Sequence, residues 1–187
     1  QLLTEDYYVA NKLAKGFFGT ANIDTNSRLC MASTVAGHKR AFGTDTVPGT
    51  YDDLEQADLI VLTGSNLAWC HPVLYQRILA ARKNRGTRIV VIDPRRTASC
   101  DGADLHLALA PGSDVALFNG LLSEIAQRGL IDADFAVNVT GLDEALAAAR
   151  SEDLTVTGLS DADLSAFFDL WCGTEKVVTI FSQGVNQ

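Results

Sequence analysis

Cys30 stands where a polar stretch, Asn22 to Ser27, gives way to an apolar-periodic segment, so it falls at a loop–helix junction. The positive end of a helix, with Arg28 two residues earlier, favours the thiolate, which acts as a nucleophile or a soft-metal ligand. A lone cysteine is otherwise a small buried hydrophobe, and these residues alone leave that reading open. Three further groups sit at the ends of apolar runs. Thr63-Gly64-Ser65-Asn66 offers small residues and backbone N–H groups ahead of a helix, a common way to hold a phosphate. A tight strand-to-helix turn has the same composition, and the full G-x-G-x-x-G is absent. Asp93 ends the next run, where an acid can bind a ribose hydroxyl, and Arg95 and Arg96 beside it can meet phosphate or lie in a solvated loop. Pro111-Gly112-Ser113-Asp114 ends a third, and Asp114 can contact a base edge or cap the following helix. His71 is placed to line such a crevice, but His38, His71 and His106 include no pair at metal-ligand spacing. Cys70, Cys100 and Cys172 lack surroundings that activate a thiol and are expected to be structural. No G-x-S-x-G elbow supports hydrolase chemistry.

The elements that must position these groups alternate strand and helix. Strands are predicted at 58–63, 88–93, 106–110 and 176–181, the first two as β-branched runs buried on both faces. Helices are predicted from Thr4 to about Gly16, with Tyr8, Leu13 and Phe17 on one buried face, and from Cys30 to Phe42, closed by Gly43. Further helices are expected after a capping box at Thr50–Asp53, from Pro72 to Arg85, from Ser113 through Leu130, over 141–150 and from Ser160. Residues 182–187 read as a closing loop. Short turns between alternating strands and helices imply right-handed crossovers. The expected fold is α/β: a Rossmann-like, mostly parallel sheet flanked by helices, with ligands beyond the carboxyl ends of the strands.

Composition narrows the function classes. The 187 residues are 47% hydrophobic and 20% charged, the balance of a globular domain. No apolar run reaches the roughly 20 residues a membrane helix needs, so no membrane partner is expected. A net charge of −8 argues against a nucleic-acid partner. Four scattered cysteines with no Cys-x-x-Cys suit a reducing compartment, and the expected location is cytoplasmic. The chain opens on Gln1 without an initiator Met and closes in a loop, which suggests a piece cut from something larger.

Five segments in one order carry a resemblance over essentially the whole chain: Asn26-Ser-Arg-Leu-Cys30-Met-Ala-Ser, Leu62-Thr-Gly-Ser-Asn66, Val91-Ile-Asp-Pro-Arg-Arg-Thr97, Ala110-Pro-Gly-Ser-Asp114 and Phe181-Ser-Gln-Gly-Val-Asn-Gln187. The series resembles the molybdopterin-dependent oxidoreductases (the dimethyl sulfoxide reductase superfamily). It looks closest to the catalytic subunits of bacterial nitrate reductases, particularly the assimilatory type. The resemblance implies bis-molybdopterin guanine dinucleotide with molybdenum as cofactor, and Cys30 as the protein ligand to the metal. It implies contacts to that cofactor from Gln1, Asn26, Thr63, Gly64, Ser65, Asn66, Leu67, Ala68, Trp69 and Cys70, and later pterin contacts from Gln183 and Gln187. Contacts to guanosine and pyrophosphate fall on Asp93, Pro94, Arg95, Arg96, Thr97, Gly112, Ser113 and Asp114.

Met31 matches a residue lining the nitrate funnel. Related formate dehydrogenases typically carry His after the metal ligand, so Met31 favours nitrate as substrate over formate. An electron-donor protein or subunit and the rest of a parent polypeptide are the implied partners. The family's N-terminal four-cysteine site for a [4Fe–4S] cluster is not in this chain. The expected domain is therefore one cofactor-binding unit, 1–187, with 176–187 beginning the return into a neighbouring domain, and inactive by itself. Against this stand a non-catalytic Rossmann-like nucleotide-binding module and a nicotinamide-dependent dehydrogenase, the latter weakened by the missing glycine motif.

Overall fold

A computed structural model describes residues 3–24 and 30–186. Four parallel strands form its centre: β1 (Leu59–Thr63), β2 (Arg88–Ile92), β3 (Leu105–Leu107) and β4 (Val177–Phe181). Their spatial order is β3-β2-β1-β4. The chain steps outward from β1 to β3, then returns to add β4 on the free edge of β1. Winding reverses between β1 and β4, which is where an open parallel sheet leaves a crevice.

All five residues of β1 are buried, as the unbroken apolar run requires. Leu59, Val61, Val90 and Ile92 point into one layer with Leu117 and Leu121 of α6 (Asp114–Gln127) and Leu164, Phe167 and Phe168 of α9 (Asp161–Cys172). Ile60, Leu62, Ile89 and Val91 point into the other, against α3 (Asp53–Gln56), α4 (Leu67–Cys70) and α5 (Pro72–Arg85). Pro72 opens α5 and left-handed Gly86 closes it. Ser160 and Asp163 form the reciprocal capping box of α9. Short α7 (Ala133–Ala136) and α8 (Leu142–Arg150) complete the α6 side, while α2 (Ala32–Phe42) lies across the carboxyl end of β4.

Several expectations change. The first helix, α1 (Thr4–Asn11), continues as a π-helix over Lys12–Phe17, so Gly16 does not stop it. Its expected buried face is open: Tyr8 is 75% exposed and Phe17 74%. Periodicity registers the apolar stripe, but no described element packs on it. The third strand stops at Leu107, because Ala110 turns away to donate its N–H to Thr157 O at 2.7 Å. Ser182–Asn186 is not a plain loop; α10 (Gln183–Asn186) is one helical turn. Helix α2 starts at Ala32, leaving Cys30 and Met31 in the turn before it. At Thr50 only half of the capping box forms, with Asp53 accepting the Thr50 N–H and hydroxyl.

Candidate functional site

The carboxyl ends of β1 and β4 meet backbone to backbone. Gly64 takes φ +53°, and a Cβ there would lie 2.7 Å from Gly184 Cα. A Cβ on Gly184 would lie 2.5 Å from Gly64 Cα. Only two glycines allow this approach. The Gly184 N–H donates to Gly64 O at 3.0 Å, and the Ser65 and Ser182 hydroxyls are 2.7 Å apart. Just behind, the Thr63 hydroxyl is buried at the end of β1 with no hydrogen-bond partner among the described residues; the Thr97 hydroxyl after β2 is also unpartnered. A buried hydroxyl without a partner is costly, and a polar ligand would satisfy it.

Cys30 is tied to this junction through Gln183, the residue before Gly184. Gln183 Nε2 donates to Cys30 O at 2.7 Å and lies 3.6 Å from Cys30 Sγ. The Thr34 hydroxyl bonds the Asn186 side chain, and the His38 ring packs 5.7 Å from that of Phe181. Three side chains therefore hold the turn and first half of α2 over the β1–β4 switch point. Met31, beside the thiol, is 37% exposed.

The nucleotide-type groups gather nearby. Asp93 is buried, its carboxylate accepts the Arg95 N–H at 2.8 Å, and its carbonyl bonds His106 Nε2 at 2.9 Å. Asp114 opens α6 but caps nothing through its side chain; Ser113 spends its hydroxyl on Ala110 O at 2.6 Å. Burial, and then the Asp93 charge, raise the Asp114 carboxyl above its ordinary range, although its own N–H partly offsets this. A cleft of about 540 Å³ lies between α2, the start of α6 and the start of α10, bounded by Thr34, His38, Gly112, Asp114, Gly184 and Val185.

The structure brings Cys30, Met31, Thr63, Gly64, Ser65, Asp93, Gly112, Asp114 and Gln183 to one end of the sheet. The expected residues that follow β1 and β2 in the chain differ in burial and partners. Leu67 is buried in the core, and Ala68 N–H is taken by Ser99 Oγ at 3.0 Å. Trp69 is exposed. Cys70, expected to be structural, is exposed and lines a second depression with Tyr51, His71 and Arg77. Hence His71 does not line the cleft. Pro94, Arg95 and Arg96 are exposed, with Arg96 3.3 Å from Asp101. Gln1, Asn26 and Gln187 lie outside the described residues.

Sequence reasoning passed over Thr34 and Ser99, which is buried and bonds Asn66 Oδ1 at 3.2 Å, and gave no positioning role to Ser182, Gly184 or His38. Gly184 carried a usable signal, a glycine soon after an apolar strand as at Gly64. Ser99 carried none.

Comparison with known proteins adds to this geometry. The family model described as molybdopterin oxidoreductase matches residues 1–187. A nitrate reductase of Shewanella frigidimarina is 55% identical over 194 residues, covering 100% of this chain and 21% of that protein. The alpha subunit of an F420-dependent formate dehydrogenase from Methanocaldococcus jannaschii is 40% identical over 136 residues, covering 73% of this chain and 20% of that protein. The chain thus spans about a fifth of the length of these relatives. Among solved structures, acetylene hydratase from Pelobacter acetylenicus superposes with a TM-score of 0.74 over 95% of this chain and 24% of that one, at 23% identity, which speaks for the fold.

Proposed function

The chain belongs to the molybdopterin oxidoreductase family, and from that premise we propose that it is the cofactor-binding part of a nitrate reductase catalytic subunit. The observation that carries this is the contact of the Cys30 turn with Gln183, the residue before Gly184, at the reversal point of the sheet. The residues fit a molybdenum–pterin group. A soft sulfur donor, two unpartnered hydroxyls and a close glycine pair share one end of the sheet. Among the described residues no cluster of three His, Cys, Asp or Glu could hold a metal by itself; Cys30 would be the protein ligand that the resemblance implies. When bound, such a group supplies the two-electron chemistry that removes an oxygen atom from nitrate and leaves nitrite.

The chain's own residues bind and orient. Cys30 presents its sulfur from a turn fixed by Gln183. Gly64 and Gly184, lacking side chains, let the ends of β1 and β4 close on each other beside that turn. The Thr63 and Thr97 hydroxyls are free to bond the polar edge of such a group. Asp93 and Asp114 are two carboxylates near enough for one charge to act on the other, and N–H or O–H donors of a guanine dinucleotide would offset the cost of burying them. Met31 lines the approach with an uncharged thioether, which cannot move a proton as a histidine there would. That, and the higher identity to a nitrate reductase over the full chain, favours nitrate over formate. The same reading includes the bis-guanine-dinucleotide form of the cofactor, a [4Fe–4S] cluster and an electron-donor partner supplied from outside this chain, and an assimilatory, cytoplasmic role.

The test uses the full-length protein. Molybdenum and guanine nucleotide are measured in one preparation, and nitrate reduction and formate oxidation are assayed side by side. Expected are both cofactor components and nitrate reduction, which Cys30→Ser abolishes because a hydroxyl is a harder, more weakly ionised ligand. Undiminished nitrate reduction in Cys30→Ser would sink the ligand assignment. Formate oxidation without nitrate reduction would overturn the substrate.

A further inference from the structure

We infer that Gln183 is a positioning residue for Cys30, holding both the backbone and the sulfur of the proposed metal ligand from the end of β4. This inference rests on the reading of Cys30 as that ligand. The resemblance places Gln183 among pterin contacts, and its amide also engages Cys30. Nε2 donates to the Cys30 carbonyl at 2.7 Å and lies 3.6 Å from Sγ, while Oε1 lies 3.9 Å from the same sulfur. One amide therefore grips a residue 153 positions away in sequence.

Nothing inside the Cys30–Met31 turn does this job. Met31 precedes α2 with no side-chain cap on the helix, and the turn's internal bonds, Val35 N–H and the Thr34 hydroxyl to Met31 O, leave Cys30 O to an outside donor. Gln183 is well placed to be that donor. It begins α10, whose register is set one residue later by the Gly184–Gly64 backbone contact and three residues later by the Thr34–Asn186 bond. The position of the sulfur relative to the sheet is thus fixed through the end of β4, to which α2 is tied by Thr34.

A sulfur bound to a metal offers only lone pairs, so Nε2–H is the partner that persists in the loaded site. A donor aimed at a coordinating sulfur withdraws electron density from it and stabilises the reduced metal. Gln183 accordingly does two things: it fixes where the ligand stands and it sets how strongly that ligand donates.

The experiment compares Gln183→Met and Gln183→Glu with the unsubstituted full-length protein. Met keeps the length but removes both polar atoms, and Glu keeps the shape but removes the donor. Gln183 is exposed, so neither change disturbs the core. In protein produced without molybdenum, amide hydrogen exchange is followed in peptides spanning residues 30–35. Loss of the clamp is expected to speed exchange there about fivefold in both variants, with peptides across β1 unchanged. In the loaded enzyme the midpoint potential of the metal's paramagnetic signal is expected to become more negative, with kcat lowered and KM for nitrate retained. Exchange at residues 30–35 within about twofold of the unsubstituted protein in both variants would overturn the inference. If the unsubstituted protein takes up no molybdenum, the cofactor reading fails, and the exchange comparison still decides whether Gln183 holds Cys30.

Discussion

Asp114 shows how a single side chain can be poor for the fold and suited to a ligand. Burial raises its carboxyl first, the Asp93 charge adds to this, and its own N–H only partly offsets them. The folded protein therefore keeps the Asp114 proton to higher pH than the unfolded chain does. Stability is full below the unfolded value of 3.8, falls as pH rises through the raised folded value, and stays reduced at neutral pH. Asp114→Asn should thus melt higher than the parent at pH 7, with the difference vanishing in acid. The same variant should hold less guanine nucleotide, about tenfold less tightly, because an amide is a weaker acceptor for N–H donors. Melting curves across pH, with nucleotide content in parallel, check both. A lower melting temperature at pH 7 would show that the carboxylate serves the fold.

At the scale of elements, the contact between the β1 and β4 ends separates two roles of glycine. Gly64→Ala must bear both a left-handed φ and a Cβ 2.7 Å from Gly184 Cα, at a total cost of about 2–4 kcal/mol. Gly112 has φ +83° but open space around it, so Gly112→Ala should cost only about 1 kcal/mol. Denaturant melts of both variants give the comparison directly. Equal costs would mean that the backbones at Gly64 and Gly184 can part without loss. Because α10 carries both Gly184 and Gln183, Gly64→Ala should also loosen the Cys30 turn, which the exchange measurement reads.

The core of the described residues divides into two apolar layers, and each backs part of the site. Phe167 is fully buried between Phe118, which it meets edge-on with ring centroids 6.5 Å apart, and Phe168. Phe167→Ala should destabilise the fold by about 3–5 kcal/mol, the usual cost of emptying a large core position. The layer it belongs to backs α6, whose first residue is Asp114, so cofactor retention should fall along with the melting temperature. Calorimetry with metal analysis checks this; a drop in stability with full retention would show that α6 holds its place through its neighbours alone.

How much of this was legible beforehand follows from the range of each interaction. The β-branched runs of β1 and β2, Pro72 and Gly86 around α5, and the Ser160–Asp163 capping box are short-range, so the residues themselves determined them. Placing ligand-type residues at strand ends needed only the alternation of strands and helices. Other features depended on contacts between distant parts of the chain. These include β4 pairing on the far edge of β1, the Gly64–Gly184 contact, Gln183 on Cys30, Ser99 on Asn66, and the depression that Cys70 and His71 share with Tyr51. Likewise the apolar stripe of α1 was visible as a period, while its exposure was decided by what folds against it. Local propensity and periodicity are written in neighbouring residues; the partner across a sheet reversal is chosen only when the chain closes on itself.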